Sequence, residues 1–383
     1  MRIGIDARFF GSIGKGLGRY TQKLIENLEI ISAQGGPASG WDNSHQFFIF
    51  LRKENWNEYQ PSSQNFTKVL ADVPWYTLRE QVQMPKIFKR CGLDLVHFPH
   101  FNVPIAYKGK FVVTIHDLIL FRHPTRRAST LSAPAYFLKT KVYHRVIKRA
   151  IKNSEKIIAV SQHTKKDVLK NFKINPDKVV VTYEGVDTIE KPLLEKPETV
   201  LKKYGIMRPY ILYVGNAYPH KNLDRLILAF KEVSKTHSGL HLVLAGKEDY
   251  FYKRLKNFVV ANNVPGVVFP GHVAEDHLPS LYREARLYVF PSLYEGFGLP
   301  PLEAMARNTP IVSSNASCLP EILGPAACFF DPRGISETAD AIEKVLEDFD
   351  LRKHLVAAGQ QQIKKYSWQK MAEETLKIYK KCG

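Results

Sequence analysis

The chain has 383 residues, 44% of them hydrophobic, and a formal net charge of +18. This length and apolar fraction suit two domains with their own cores, without the roughly 18 to 20 consecutive apolar residues of a membrane-spanning helix or the apolar segment of a signal peptide. The four cysteines show no paired spacing, which excludes a disulfide framework or structural zinc site and favours a cytoplasmic protein: Cys91, Cys318, Cys328 and Cys382.

Short apolar runs alternate with helical patterns along the whole chain, which predicts parallel sheets covered by helices. Ligands of such doubly wound sheets lie beyond the carboxyl ends of the strands. A proline-containing linker, Asp187–Glu198, separates two predicted domains, 1–187 and 199–366, and a last helix begins near Ser367. The predicted strands are Arg2–Asp6, Phe47–Leu51, Leu95–Phe98, Phe111–Ile115, Ile157–Val160, Val179–Thr182, Tyr210–Val214, His241–Ala245, Val267–Phe269, Leu287–Phe290, Ile311–Ser313 and Ala327–Phe330.

A glycine-rich segment, Gly11–Tyr20 (GSIGKGLGRY), follows the first strand and is predicted to be a loop. By itself it imitates a dinucleotide-binding fingerprint, which is a weak signal. A nicotinamide site needs an acidic residue after the second strand, but that strand is followed by Arg52 and Lys53. The glycines Gly16 and Gly18 allow close backbone approach, with Lys15 and Arg19 nearby. A second loop is predicted over Gln34–Ser44.

Two further features lie in the first domain. The buried-strand run VVTIHDLIL ends in His116 and Asp117, so an imidazole is expected at the strand end, with Asp117 orienting its ring. A later helix carries Lys141, Arg145, Lys148 and Lys152 at helical spacing, and Val142, Val146, Ile147 and Ala150 supply its apolar side. This basic stripe predicts either a solvated helix face or contact with an anionic surface such as a membrane.

In the second domain the segment YVGNAYPHKN, residues 213–222, joins a strand to the helical run LDRLILAF. Gly215 allows the backbone to approach a ligand, and Lys221 stands near a helix start, where its ammonium can meet a diphosphate. A contact of this kind is charge-assisted and contributes about 1.5–3 kcal/mol net.

The segment Val289–Ser314 (VFPSLYEGFGLPPLEAMARNTPIVSS) is predicted to be strand, glycine turn, helix and strand. Prolines 300 and 301 favour a helix from near Pro300 to about Arg307. Free N–H groups and the positive dipole end then make an anion site over the turn. Glu295 and Glu303 bracket this site, seven residues apart.

This segment resembles the donor-site motif of GT-B fold, retaining glycosyltransferases of family 4, a pair of glutamates seven residues apart with a GFG-type turn and a proline-led helix. The resemblance implies two doubly wound, Rossmann-like domains facing a central cleft, with the last helix, 367–383, crossing back to the first domain. It also implies retention of anomeric configuration, a nucleotide-sugar donor and no divalent metal or other cofactor. Most similar are the mannosyltransferases, which points to GDP-mannose, with UDP-hexoses as alternatives.

Residue roles follow from the same resemblance. Catalytic roles are expected for His116, Lys221 and Glu295, with Glu295 facing the donor sugar. Glu303 is expected to meet the ribose hydroxyls. At the position after Gly215 the family has an arginine where this chain has Asn216, so one charge is absent from the phosphate clamp, and His220 or Arg225 are candidates to compensate. The remaining donor-binding residues are Gly16, Gly215, Val273, Phe297, Gly298 and Leu299.

Glu295 and Glu303 are not expected to form a glycosidase acid–nucleophile pair. Such carboxyls sit about 5–9.5 Å apart, whereas eight helical positions span about 12 Å. The acceptor is predicted to be a glycan or lipid-linked saccharide. Other GT-B chemistry, a nucleotide-sugar 2-epimerase or a phosphorylase, remains an alternative. A nucleic-acid-binding protein is suggested by net charge alone, and no module supports it.

Overall fold

The computed structural model describes residues 1–35, 45–122, 133–187 and 193–383. They form two compact units, Met1–Gly185 together with Ser367–Gly383 (unit 1) and Val186–Tyr366 (unit 2). Most of the predicted loop Gln34–Ser44, and residues 188–192 of the predicted linker, lie outside the described residues.

Unit 1 is built on one seven-stranded sheet in which every strand pair is parallel, in the order β3-β2-β1-β4-β5-β6-β7. Its strands are β1 Arg2–Asp6, β2 Gln46–Leu51, β3 Phe66–Leu70, β4 Leu95–Phe98, β5 Phe111–Ile115, β6 Lys156–Ala159 and β7 Val179–Val181. Its helices are α1 Lys15–Gln34, α2 Leu78–Arg90, α3 Ile119–Arg122, α4 Ala133–Asn153, α5 Gln162–Asn171 and, from the end of the chain, α14 Trp368–Cys382.

Unit 2 repeats this construction with a six-stranded parallel sheet, in the order β10-β9-β8-β11-β12-β13. Its strands are β8 Tyr210–Val214, β9 His241–Ala245, β10 Val267–Gly271, β11 Leu287–Phe290, β12 Ile311–Ser314 and β13 Ala327–Phe330. Its helices are α6 Pro197–Lys203, α7 Leu223–Thr236, α8 Tyr250–Ala261, α9 Leu278–Glu284, α10 Leu299–Met305, α11 Leu319–Leu323, α12 Ile335–Glu347 and α13 Phe349–Gln362.

The prediction of two parallel-sheet α/β domains is confirmed. Central strands such as β4, β5 and β11 are buried along their whole length, because helices cover both faces of a parallel sheet. The sequence prediction missed β3, whose pattern FTKVL leaves Thr67 and Leu70 exposed at the edge of the sheet. In each sheet the carboxyl ends of all strands meet at one edge.

The last helix, α14, belongs to unit 1 and packs against α1. Its predicted cap is confirmed, since the Ser367 hydroxyl accepts a hydrogen bond from the Lys370 N–H. A buried polar chain fastens it to the sheet. The Tyr379 hydroxyl lies 2.5 Å from His97 Nδ1, and His97 Nε2 lies 2.8 Å from the Thr114 hydroxyl. Burial lowers the pKa of His97 to about 3, so this imidazole stays neutral within the chain of hydrogen bonds.

The glycine-rich segment is not the loop that the sequence predicts. Gly11–Gly14 forms a short 3-10 turn, and α1 begins at Lys15, so Gly16 and Gly18 lie in the first turns of a helix. A Cβ at Gly18 would sit 2.1 Å from the Gly11 carbonyl oxygen, whereas a Cβ at Gly16 would meet nothing within 4 Å. Gly18 is therefore required by packing, and Gly16 faces open space.

Candidate active site

The carboxyl edge of the unit 2 sheet brings together the two motifs singled out in the sequence. One follows β8 and contains Lys221; the other follows β11 and contains Glu295. Because β8 and β11 are neighbouring parallel strands, the loops that follow them emerge side by side. The two loops are also joined directly, since the Leu293 N–H donates to the His220 carbonyl oxygen over 2.8 Å.

An ion pair joins these motifs at their centre. Lys221 Nζ lies 2.6 Å from Glu295 Oε1, and the two side chains are only 14% and 11% exposed. The ammonium also lies 5.5 Å from the centroid of the Phe290 ring, a distance at which the face of an aromatic ring attracts a cation. The structure thus holds one cation and one carboxylate together in a largely desolvated position at a strand edge.

Local backbone geometry explains why Lys221 reaches this place. Pro219–Lys221 forms a 3-10 turn that ends at Asn222, whose φ of 60° is left-handed, a conformation that Asn tolerates better than most residues. The buried Asn222 amide donates to the Pro291 and Pro332 carbonyl oxygens over 3.1 and 2.7 Å. Those two hydrogen bonds fix the turn against the loops that follow β11 and β13.

The turn directly after β8 is held by two tyrosines. Gly215 has a φ of +154°, and a Cβ there would sit 2.7 Å from the Tyr213 hydroxyl. The Tyr252 hydroxyl donates to the Gly215 carbonyl oxygen, and the Tyr213 hydroxyl donates to the Asn216 carbonyl oxygen, each over 2.8 Å. The backbone here is held tightly and leaves the Asn216 side chain partly exposed, with no cation at the position where the family has an arginine.

The turn after β11 leads into α10 through Gly298, whose φ of 95° suits glycine. The helix runs from Leu299 to Met305, so it begins one residue before the predicted start and ends two before the predicted end. Two residues that sequence reasoning missed support the turn. The Ser317 hydroxyl accepts from the Glu295 N–H over 2.9 Å, and Cys318 Sγ donates to the Phe297 carbonyl oxygen over 3.3 Å.

The two glutamates of the motif have different partners. Glu295 is paired with Lys221, whereas Glu303, half-buried on α10, accepts a hydrogen bond from the Tyr282 hydroxyl over 3.0 Å. Val273, predicted to bind the donor, is buried just beyond β10. The two carboxylates therefore belong to separate hydrogen-bond groups within unit 2.

In unit 1, His116 lies directly after β5 at the carboxyl edge, as predicted. Its Nδ1 is 3.0 Å from Glu184 Oε1, and its Nε2 is 3.0 Å from the Pro99 carbonyl oxygen. Both partners can only accept, so both ring nitrogens donate and the imidazolium form is favoured. Burial lowers the pKa of His116, but the hydrogen bond and charge of Glu184 outweigh it and raise that pKa above its ordinary value.

The prediction that Asp117 orients this ring is wrong. Asp117 Oδ1 accepts from the Ile119 N–H over 2.8 Å at the start of α3, a local turn that short acidic side chains favour, and the ring-binding carboxylate is Glu184. Glu184 follows β7 and is 68 residues from His116. Sequence reasoning missed Glu184, although its position shortly after a predicted strand could have indicated it.

Comparisons with known proteins follow the same division of the chain. Residues 198–362 match the family described as Glycosyl transferases group 1, and residues 42–190 match Glycosyltransferase Family 4. The chain is 30% identical over 294 residues to the O-antigen chain mannosyltransferase B of Escherichia coli, covering 75% of this chain and 74% of the relative. It is 27% identical over 311 residues to the O-antigen chain mannosyltransferase RfbU of Salmonella typhimurium, covering 77% and 81%.

Among solved structures, Anabaena HepE in complex with UDP-glucose matches with a TM-score of 0.71 at 15% identity, covering 99% of both chains. At that identity the likeness concerns the fold alone. The sequence relatives and the structural neighbour therefore bear on different questions, the first on family and the second on architecture.

Proposed function

Because the chain belongs to the glycosyltransferases of group 1 and family 4 and has their GT-B fold, we propose that it transfers mannose, with retention of configuration, from a nucleotide diphosphate sugar to an acceptor hydroxyl. The acceptor is a glycan or lipid-linked saccharide. GDP-mannose is the favoured donor because two relatives are named as O-antigen chain mannosyltransferases. A UDP-hexose is the competing donor, since HepE was solved with UDP-glucose.

The observation that carries this proposal is the Lys221–Glu295 pair. An ammonium held at the carboxyl edge of a parallel sheet, beside a glycine turn, is placed to meet a diphosphate. Glu295 keeps the ammonium in position until the donor arrives. As the bond from sugar to diphosphate breaks, negative charge grows on the leaving group, and a preorganised cation stabilises it most at that moment.

The remaining donor contacts are assigned by position. Backbone N–H groups of Phe297, Gly298 and Leu299 face the same phosphates, Glu303 binds the ribose hydroxyls, and the backbone at Val273 meets the nucleobase. Gly215 and Gly16 permit close approach of the main chain, because neither has a side chain to exclude the ligand.

For His116 in unit 1 the proposed role is contact with the transferred sugar or with the acceptor hydroxyl. Its ring, whose two N–H groups donate to Glu184 and to the Pro99 carbonyl oxygen, then acts as a fixed electrostatic group rather than as a free base. The proposed reaction uses no nucleophilic side chain of the enzyme and no divalent metal. EDTA should therefore leave donor binding unchanged.

We further propose that the protein is cytoplasmic and binds an anionic membrane surface through the basic stripe on α4. Lys141, Arg145, Lys148 and Lys152 are all exposed, and none is ion-paired with another described residue. Val142, which was predicted on the apolar side of the helix, is instead 52% exposed, and Phe137 is 61% exposed. Exposed apolar groups among basic ones suit a lipid surface. Within the described ranges, no helix has the length and apolarity needed to span a bilayer.

The donor assignment is tested by calorimetry of the full chain with GDP, UDP and their hexose conjugates. Lys221→Ala should weaken binding of the preferred nucleotide about 10- to 100-fold, the equivalent of one charge-assisted contact, and Glu303→Ala should also weaken it. Lys235→Ala is the matched control, since Lys235 forms an exposed ion pair with Glu232 in the same unit. Unchanged affinity in both site variants, or no binding of any nucleoside diphosphate, would refute the proposal.

A further inference from the structure

Five aromatic side chains gather at the carboxyl edge of the unit 1 sheet, after three different strands. Phe9 follows β1, Trp75 and Tyr76 follow β3, and His100 and Phe101 follow β4. The Phe9 centroid lies 4.4 Å from that of Trp75 and 5.4 Å from that of His100, and the His100 and Phe101 centroids are 3.9 Å apart. We call this group the edge aromatic cluster.

Tyr76 is its exposed member. Its ring is in contact range of His100 and Phe101, with centroid distances of 6.2 and 6.4 Å, yet the residue is 57% exposed. Its φ is +63°, a left-handed conformation that is costly for a bulky residue. Strain of this kind persists only where surrounding contacts enforce it, and it clusters at ligand sites.

The contacts that enforce it are buried and charged. The Tyr76 N–H donates to Glu80 Oε2 over 2.8 Å. The other oxygen of Glu80 accepts from Arg8 and from the Asn102 amide over 2.6 and 2.8 Å. Arg8 and Glu80 are fully buried and Asn102 nearly so. The buried Arg8–Glu80 ion pair thus fixes the backbone of Tyr76, although the Tyr76 ring is exposed to solvent. Packing of the core does not by itself require an exposed ring at this position.

The cluster is continuous with His116. The Pro99 carbonyl oxygen accepts from His116 Nε2, and His100 is the next residue along the chain. Burial and then the charge of His116 lower the pKa of His100 to about 3, so this ring is neutral. Apart from a 3.5 Å contact between its Nδ1 and the Tyr76 hydroxyl, His100 makes no hydrogen bond to any other described residue.

We propose that the edge aromatic cluster binds a pyranose ring of the acceptor glycan. The Tyr76 ring stacks on the C–H face of the sugar, because the electron-rich face of an aromatic ring attracts the positive edge of C–H bonds. The free His100 nitrogen hydrogen bonds a sugar hydroxyl, and largely apolar walls with few polar groups are typical of such sites. That this pyranose belongs to the acceptor rests on the function proposed above. The binding of a pyranose by the cluster does not depend on that function.

The test uses the full chain and two probes, methyl α-D-mannopyranoside and methyl β-D-glucopyranoside, observed by saturation-transfer NMR. Tyr76→Gly removes the ring at a φ that glycine adopts freely, so the substitution adds no backbone strain, and thermal unfolding of the variant checks that it is folded. Binding of the preferred probe should fall about three- to tenfold, in line with one aromatic contact. Tyr76→Phe, which keeps the ring, should bind within about twofold of wild type on the same grounds.

Tyr250→Gly provides the matched control, since Tyr250 is an equally exposed tyrosine of unit 2. Calorimetry with GDP and UDP on the same proteins separates the two proposals. Loss of glycoside binding in Tyr76→Gly with nucleotide binding intact supports the sugar site. Equal glycoside binding in Tyr76→Gly and wild type, or no glycoside binding in wild type, overturns it while leaving the donor assignment untouched. Absence of nucleotide binding overturns the donor assignment alone.

Discussion

Each of the two proposed reactive cations is held by a carboxylate from a distant part of the chain. Glu295 lies 74 residues from Lys221, and Glu184 lies 68 residues from His116. A carboxylate at hydrogen-bond distance keeps the cation in one place before any ligand binds, and at His116 it also raises the pKa of the ring. At both positions the pair lies just beyond strand ends, where backbone geometry rather than side-chain length decides the distance.

Replacing Glu184 should lower the pKa of His116. In Glu184→Gln the hydrogen bond survives but the negative charge is gone, so the imidazolium loses the partner that outweighs its burial. The His116 ring resonances, titrated by NMR, should move to a midpoint below that of wild type. The control is Asp117→Asn, since Asp117 bonds the Ile119 N–H rather than the ring, and its effect on the midpoint should be smaller.

The same pair makes stability depend on pH in a defined direction. A histidine with a raised folded pKa stabilises the protein fully below its unfolded pKa of about 6.5 and loses that contribution as pH rises through the folded value. Glu184→Gln should therefore lower the free energy of unfolding in urea by about 1–2 kcal/mol at pH 6 and by less at pH 9. Burial lowers the pKa of His97 and of His100 to about 3, far below both pH values, so both rings are neutral in the folded wild type and the difference reports on His116. A difference that grows with pH would contradict this account.

At the scale of elements, the first turns of α1 offer a matched pair of glycines. An alanine at Gly18 would place its Cβ 2.1 Å from the Gly11 and 2.6 Å from the Phe9 carbonyl oxygens. Backbone atoms cannot move aside, so Gly18→Ala should cost about 3 kcal/mol or more in urea unfolding. At Gly16 the Cβ meets open space, and Gly16→Ala should stabilise α1 by about 0.5–1 kcal/mol.

Gly16→Ala also tests the proposed donor contact at this position. If the donor approaches the main chain closely, the added methyl group should weaken nucleotide-sugar binding in calorimetry although the protein is more stable. Unchanged donor affinity in a stabilised Gly16→Ala would remove Gly16 from the donor site.

Central strands are the elements that the sequence predicts well. FVVTI of β5 and LYVF of β11 are buried on both faces, so both strands consist almost wholly of apolar, β-branched and aromatic residues, and their bounds can be inferred without tertiary information. β3 does not have that pattern. Its Lys68 is accommodated by a tertiary contact, because Nζ lies 4.2 Å from the centroid of the Trp56 ring. No local sequence pattern predicts this contact.

Positions of the candidate site residues are predictable in the same way, but their partners are not. His116, Lys221 and Glu295 were located because each follows a strand. The prediction for Asp117 failed because a sequence suggests the neighbouring carboxylate, whereas the fold turns that neighbour toward its own backbone and brings Glu184 to the ring. Likewise, glycine spacing predicts a loop at Gly16, whereas the structure has a helix there, in which Gly18 is required by its packing on Gly11 and Gly16 faces open space.

Across the whole molecule, positive charge is unevenly divided. Residues 1–190 hold 29 basic and 16 acidic residues, whereas residues 191–383 hold 26 and 21. Net charge alone would attract any polyanion. The basic stripe on α4 instead predicts that the position of the positive charge, and not only the total charge of the chain, decides binding to an anionic surface.

Vesicle binding distinguishes an effect of the position of the positive charge from an effect of the net charge. Reversing the basic stripe (K141E, R145E, K148E and K152E) should weaken sedimentation with phosphatidylglycerol vesicles about a hundredfold or more, since each basic residue near an anionic surface contributes about 1 kcal/mol. Reversing four exposed lysines of unit 2 (K202E, K203E, K253E and K364E) gives the same net charge. That control should bind phosphatidylglycerol vesicles nearly as well as wild type does. Neutral phosphatidylcholine vesicles should bind none of the three proteins.

Salt and a second polyanion complete the argument. Raising the salt from 0.1 to 0.5 M should release the wild-type protein, because the Debye length falls from about 10 Å to less than half of that. If both quadruple variants lose vesicle binding equally, the stripe has no special role and the net charge suffices. If the stripe variant loses vesicles but still binds duplex DNA with a steep salt dependence, a nucleic-acid surface lies elsewhere on the chain. Loss of vesicle binding in the stripe variant alone would place the protein on the membrane through α4.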